Sequence, residues 1–342
     1  MRLLVTGGAG FIGSAFIRWT LKYRPGYEVV NFDALTYAGN LENLKDVEKN
    51  PRYRFVKGDI CDAKAVTEAL AGVDAVVHFA AESHNDRSVL GASQFFMTNV
   101  MGTQTLLDAC LKAGGIRFHH VSTDEVYGDL ALEETRRWTE DEPIKPGTLY
   151  SASKAGSDHA VLAYGKVMGL PVTVSRCCNN YGTHQFPEKL IPLFSTNAME
   201  GKPLPLFKSS KNSREWIHAD DHSSAVALIL ERGRLGQVYN IGSDVDKTIE
   251  EITDVILQTL GKPASLKTYV PDRPGHDRKY AIDSTKLRSE LGWMPSVPFD
   301  DGMRETILWY KENPEWWMRV KSGDYRLYYD TYYRKVLGTV LS

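Results

Sequence analysis

Little in this 342-residue chain is extreme, and each thing it is short of removes a class of function. It has only four cysteines, Cys61, Cys110, Cys177 and Cys178, none at C-x-x-C spacing, and the adjacent Cys177 and Cys178 could bridge each other only with backbone strain. That argues against a disulfide scaffold, and the four read as buried free thiols of a reducing compartment. Charge of neither sign predominates: 41 Lys and Arg against 43 Asp and Glu leave a formal charge of −2. Such a chain has no bulk field for nucleic acid or an anionic membrane, so any anion must be held by local groups. No run of about 18 apolar residues is present to span a bilayer, and the start, MRLLVTGGAGFIG, has too short an apolar stretch for a secretion signal. These absences predict a cytoplasmic protein. The nine histidines have no cysteine at ligand spacing, and no metal site is expected.

What is present is a rhythm. Short apolar stretches such as LLVT (3–6), YEVVNFD (27–33), YRFVKGD (53–59) and DAVVHFAA (74–81) alternate with amphipathic ones, FIGSAFIRWTLKY (11–23) and AKAVTEALAG (63–72). Strands buried on both faces read as nearly continuous hydrophobics, so the pattern predicts an α/β fold with a doubly wound, Rossmann-type parallel sheet. The alternation continues through a helix near 98–114, a strand at 116–122, a helix from Tyr150 and a strand at 171–176, then loosens after Arg176. REWIHADDHSSAVALILERG (214–233) and QVYNIGS (237–243) look like a return to the first layer. The expected division is a dinucleotide-binding domain over 1–178, joined again by 214–242, and a smaller mixed α/β substrate-binding domain over 179–213 and 243–342. The aromatic tail, with Trp316, Trp317, Tyr328, Tyr329, Tyr332 and Tyr333, is expected to pack against the body.

Two motifs carry chemistry. Gly7, Gly10 and Gly13 fall between the first strand and the first helix, where glycine lets the backbone turn tightly and approach a pyrophosphate at a helix N-terminus. Asp33 ends the next strand, where a carboxylate accepts hydrogen bonds from a ribose diol and repels a 2′-phosphate, so the cofactor reads as NAD rather than NADP. YSASK then sets Tyr150 and Lys154 four apart on one helix face. A nearby ammonium favours the phenolate, and such a pair can take a proton from a sugar hydroxyl as hydride leaves the same carbon.

With these in place the chain resembles the extended short-chain dehydrogenase/reductase family. The stretches LTYAGNLENL (35–44), GDICD (58–62), HFAAESHNDRS (78–88), STDEVYG (122–128), NNYGTHQFPEKLIP (179–192) and DRPGHDRKYAID (272–283) are similar to its dTDP-glucose 4,6-dehydratase branch, and the likeness runs from residue 1 to about 330. The resemblance implies NAD bordered by Gly7, Gly10, Phe11, Ile12 and Gly13, by Asp33, Ala34, Leu35 and Thr36, by Asp59 and Ile60, by Ala80, Ala81, Glu82, Ser83 and His84, and by Thr98, Tyr150, Lys154 and Asn180. It implies dTDP-glucose on His84, Thr123, Asn179, Lys189, Leu190, Arg214, Asn240 and the run Asp272, Arg273, Pro274, Gly275, His276, with Pro205, Leu206 and Phe207 beside the base.

The adjacent carboxylates Asp124 and Glu125 fit that chemistry. Once C4 of a hexose is a ketone, the C5 hydrogen is acidic, and loss of water across C5 and C6 needs a base beside an acid. Repulsion and desolvation can keep one of two adjacent acids protonated. The resemblance assigns Glu125 to C5, Asp124 to the C6 hydroxyl, Tyr150 to the C4 hydroxyl and Thr123 to a hydrogen bond near C4. Hydride returned to C6 would give a 4-keto-6-deoxy sugar with no net use of NAD. Thr183, Cys177, Cys178, Asn85 and Phe207 depart from the branch's pattern and leave the base preference open between dTDP and UDP. A UDP-sugar epimerase or decarboxylase, and a dinucleotide-binding regulator without chemistry, are the competing readings. Helices at 94–113 and 150–168 would pair two copies as a four-helix bundle, as the resemblance implies.

Overall fold

The computed structural model describes residues 1–208, 211–271 and 277–322. Its strands are β1 (Arg2–Thr6), β2 (Glu28–Asp33), β3 (Tyr53–Lys57), β4 (Ala75–His78), β5 (Arg117–Thr123), β6 (Val172–Cys177), β7 (Asn179–Tyr181), β8 (Leu204–Phe207), β9 (Ser213–His218), β10 (Val238–Ile241), β11 (Asp246–Thr248), β12 (Lys267–Val270) and β13 (Lys279–Tyr280). The helices are α1 (Phe11–Tyr23), α2 (Ala63–Ala69), α3 (Asn85–Leu90), α4 (Ala92–Phe96), α5 (Thr103–Lys112), α6 (Leu149–Met168), α7 (Leu190–Met199), α8 (Ala219–Arg232), α9 (Ile249–Leu260), α10 (Thr285–Leu291), α11 (Phe299–Glu312) and α12 (Pro314–Val320).

Seven strands form one sheet in the order β10-β6-β5-β4-β1-β2-β3, every pair parallel. Alternate residues of each strand serve opposite faces. Leu3, Val5 and Val77 join a core with Phe16 and Ile17 of α1 and Ala225 and Ile229 of α8. Leu4 and Val76 point the other way, into Val66 of α2, Leu106 and Leu107 of α5 and Val161 of α6. Both layers being apolar, the strands lack alternation in sequence, and each fully buried aliphatic side chain contributes about 1.5–3 kcal/mol. The chain builds outward from β1 to β3, then restarts at β4 on the other side of β1. That reversal opens a crevice at the carboxyl ends of the strands, where an open α/β sheet binds ligands.

The second lobe has a sheet ordered β11-β9-β13, with β7 beside β9, and the separate pair β12-β8. Its core combines Phe194 of α7, Ile256 of α9 and Ile307 of α11 with Tyr181 and Trp216. The return to the first layer begins later than the sequence pattern suggests. Residues 214–218 lie in β9 of the small sheet, and only α8 and β10 rejoin the large one. The alternation in REWIH marks a strand, and nothing local says which sheet it enters. In the tail, Trp316 and Trp317 are buried with Tyr310, and Trp316 Nε1 donates to Asn43 Oδ1 over 3.1 Å. The four tyrosines lie outside the described residues. Among the described residues no helix is long and apolar enough to cross a membrane.

Candidate active site

The carboxyl ends of β1, β2, β4, β5 and β6 open into a cleft of about 320 Å³. Its floor is the glycine turn. Gly7 has φ +69°, and a Cβ there would sit 2.6 Å from the Ala80 amide nitrogen, while one on Gly13 would sit 2.2 Å from the Gly7 oxygen. Side chains are excluded, so backbone forms the surface. Helix α1 has no side-chain cap at Gly10, and its first-turn residues Phe11, Ile12 and Gly13, whose N–H groups have no partner within the helix, line the cleft. Those donors and the room above them fit a dinucleotide pyrophosphate.

Asp33 stands beside them. Burial raises its pKa, and backbone hydrogen bonds from Leu35 to Oδ1 (2.8 Å) and Ala9 to Oδ2 (2.9 Å) oppose that shift. Each oxygen keeps a further lone pair for a ribose hydroxyl. Ala34, Thr36, Asp59, Ile60, Ala80, Ala81, Glu82, Ser83 and Thr98 also line the cleft. Leu35 and His84 do not: Leu35 makes the turn with φ +55°, and His84 is buried at the N-terminus of α3. Sequence reasoning missed Asn99, in the π-helical turn Met97–Gly102. Its amide accepts from Glu82 N (2.8 Å) and donates to Glu82 O (3.0 Å) and Ser153 Oγ (2.8 Å), pinning the cleft loop to α6. No periodic signal marks a π turn.

Thr123 ends β5, and Asp124 and Glu125 begin a 3₁₀ turn in which Thr123 Oγ1 accepts from Glu125 N over 3.3 Å. Both acids line the cleft in different surroundings. Asp124 is 2% exposed, and burial followed by the Glu125 charge pushes its carboxyl well above the usual range. Its Oδ2 has no hydrogen-bond partner among the described residues. Glu125 is half-buried and accepts from Asn85 Nδ2 over 3.0 Å.

Tyr150 and Lys154 enter from the first turns of α6, whose start is fixed by a reciprocal cap. Thr148 Oγ1 accepts from Ser151 N (3.1 Å), and Thr148 N donates to Ser151 Oγ (3.0 Å). Lys154 Nζ is turned to Val121 O at 2.9 Å, and burial lowers its pKa to about 8. Burial and then the Glu125 charge push the Tyr150 phenol well above its usual range, against a hydrogen bond with Thr123. Behind Lys154 lies a buried polar group the motif did not reveal: His120 Nε2 is 3.4 Å from Lys154 Nζ and 3.4 Å from Asp158, which accepts from Arg176 Nε over 2.9 Å.

At the mouth, Asn179, Asn180, Lys189, Gln185, Phe186 and Glu188 complete the wall. Lys189 Nζ donates to Ser83 O over 2.9 Å. Buried Glu188 accepts from Arg87 Nε (3.0 Å) and the Tyr37 hydroxyl (3.3 Å), with the guanidinium over the Tyr37 ring. Other expected substrate contacts lie off this wall. Leu190 opens α7 and packs on the second core, Pro205, Leu206 and Phe207 form β8, and Arg214 donates to Asp277 O over 3.0 Å. Asp272 to His276 lie outside the described residues. Asn240 is a correction: it is fully buried, its Oδ1 accepts from the Tyr127 hydroxyl, and its Nδ2 donates to Trp138 O and Asp283 O. No side-chain donor is left for a diphosphate, and the residue ties β10 to Tyr127 and to the segments at Trp138 and Asp283. Cys177 and Cys178 are free and buried and both line the cleft, but Cys61 is exposed, against the expectation of burial. His218 and His222 stand four apart; His218 Nδ1 accepts from Asp220 N over 3.2 Å, His222 is fully buried, and no metal-holding group of three occurs among the described residues.

Comparison with known proteins matches this geometry. The family model described as GDP-mannose 4,6 dehydratase matches residues 4–306. The dTDP-glucose 4,6-dehydratase of Streptomyces niveus is 48% identical, covering 95% of this chain and 97% of its own, and that of Streptomyces griseus is 51% identical over 92% and 95%. A dTDP-glucose 4,6-dehydratase from Streptomyces venezuelae, solved with NAD and dTDP bound, superposes with a TM-score of 0.91 at 52% identity, covering 94% of this chain and all of that one. The Thermotoga maritima UDP-glucose 4-epimerase shares the fold at 28% identity and TM-score 0.84, covering 92% of this chain and all of that one. As its motifs implied, the chain belongs to the GDP-mannose 4,6 dehydratase family and, within it, to the dTDP-glucose 4,6-dehydratases.

Proposed function

We propose that the chain converts dTDP-glucose to dTDP-4-keto-6-deoxyglucose and water. The observation that carries this reading is the placement of Asp124 and Glu125 side by side in the cleft that Tyr150 also lines, with burial and then the Glu125 charge raising the Asp124 carboxyl toward the role of acid. An epimerase needs no acid beside a base at this point, and an elimination does. NAD, when bound, would supply the hydride acceptor for C4 and the hydride donor for C6, and its nicotinamide cation would favour the phenolate form of Tyr150. Tyr150 accepts the C4 hydroxyl proton, with Thr123 as its hydrogen-bond partner and Lys154 holding the adjacent backbone. Glu125 removes the C5 proton, Asp124 donates its proton to the departing C6 hydroxyl, and the C5–H electron pair becomes the C5–C6 double bond. Glu125 then gives its proton back to C5 as C6 is reduced, and the sum is loss of one water.

The glycine turn and Asp33 support NAD, with the nucleotide sugar entering past Asn179 and Lys189. The small lobe is assigned to the sugar nucleotide and the large sheet to the dinucleotide. Val89 and Leu90, 76% and 75% exposed, and Phe96, Met97, Met101 and Leu149 form an apolar face on α3 to α6, which supports a homodimer through those helices. The four free thiols support a cytoplasmic location. The test is incubation with dTDP-glucose and NAD, following the alkaline absorbance of a 4-keto sugar. Absence of that signal with dTDP- and UDP-glucose alike would reject the reading, and turnover of UDP-glucose without loss of water would favour epimerisation.

A further inference from the structure

We propose that Asn85 is a positioning residue that aims the base Glu125 across the cleft, an inference that rests on the function proposed above. Asn85 begins α3, and its Nδ2 donates to Glu125 Oε2 over 3.0 Å. Glu125 lines the cleft and Asn85 does not, so the amide grips the carboxylate from outside the wall. Chemistry fixes which way the amide points: turned over, its oxygen would face a carboxylate oxygen with no proton between them. In the orientation that bonds Glu125, Asn85 Oδ1 is buried with no hydrogen-bond partner among the described residues. An apolar side chain of similar size would avoid that desolvation, so the contact from Nδ2 is what the polar residue contributes here.

The segment bearing Asn85 is itself anchored to the opposite wall. Ser83 O accepts from Lys189 Nζ over 2.9 Å, and Arg87 Nε donates to Glu188 over 3.0 Å. Holding Oε2 removes the freedom of a long side chain and leaves Oε1 for the C5 proton. That proton passes to Oε1 while the C5–H electrons form the C5–C6 double bond and the C6 hydroxyl leaves with the proton of Asp124. Hydride abstraction at C4 makes no use of Glu125, so the two halves of the reaction respond differently to loss of Asn85.

Asn85→Val is therefore assayed beside the parent for keto-sugar formation and for the near-ultraviolet absorbance of reduced nicotinamide during turnover. The expected result is a fall in kcat of about tenfold to a hundredfold, with KM altered less than about twofold and reduced nicotinamide accumulating because C4 oxidation outruns elimination. Added to Glu125→Gln, the change should cost nothing more, since it acts through the missing carboxylate. An unchanged kcat, a loss without accumulation, or full additivity with Glu125→Gln overturns the proposal. Retained C4 oxidation shows that the variant is folded, and if Asn85→Val fails to fold, Asn85→Ala is read by the same criteria. A parent that makes no keto sugar rejects the functional reading itself, whereas an active parent with an indistinguishable variant rejects only the role of Asn85.

Discussion

Two carboxyl groups adjacent in sequence meet different surroundings here, and the division of duties proposed for them rests on that difference. Asp124 is buried, which penalises its charge, and half-buried Glu125 accepts from an amide donor. Replacing Glu125 with Gln should reduce keto-sugar formation by about 10²–10⁴-fold and suppress exchange of the C5 proton with solvent, both measurable by NMR in deuterium oxide. Asp124→Asn should slow elimination to a similar extent while leaving C5 exchange in place, because the base remains. Equal loss of exchange in both variants would mean that the roles are not separable. The pair itself was legible in the sequence as DE after a strand. Which of the two is the more buried was not, since that depends on residues far along the chain.

Helix α6 shows how an element sets a site. The cap between Thr148 and Ser151 decides where the helix begins, and therefore where Tyr150 and Lys154 point. Thr148→Ala should cost about 1 kcal/mol in urea denaturation, and it should lower kcat more than it raises KM because the first turn frays under Tyr150. A variant destabilised by that amount with unaltered kcat would show that packing, not the cap, holds the tyrosine. The helix was readable from YSASK and the periodicity after it. The contact that holds Lys154 was not, because Val121 and His120 come from β5, more than thirty residues earlier. The same limit hid Asn240, whose three bonds all cross to residues at least 43 positions away.

At the scale of the whole molecule, the central layer carries buried histidines that must stay neutral. His78 and His119 are held well below the usual range by burial and then by neighbouring cationic groups, His120 to about 4 by burial and then Lys154, and His222 to about 3 by burial. Below pH 6.5 the unfolded chain binds protons that the folded chain refuses, so stability falls as pH falls. Each histidine removes about 1.4 kcal/mol per pH unit until its folded pKa is reached. Asp158, held to about 2 because hydrogen bonds from His120 and attraction to Arg176 outweigh its burial, adds to the loss only below about pH 4. The urea midpoint should therefore drop steeply from pH 7 to pH 5, and a flat profile would contradict burial of these rings. Assembly is testable at the same scale: Met97→Lys with Met101→Lys should shift sedimentation from dimer to monomer, and an unchanged species would place the interface elsewhere.

By itself the sequence determined the parallel layered sheet, the glycine turn with its acidic partner at Asp33, and the Tyr150/Lys154 helix, because each follows from interactions within a few residues or from the periodicity of burial. Tertiary structure alone decided that β9 belongs to the small lobe, that Asn240 is a structural tie, that Asp124 is the more buried of the two acids and that Asn85 reaches Glu125. Those outcomes depend on dielectric surroundings and on hydrogen bonds between distant segments, which only the folded chain brings together.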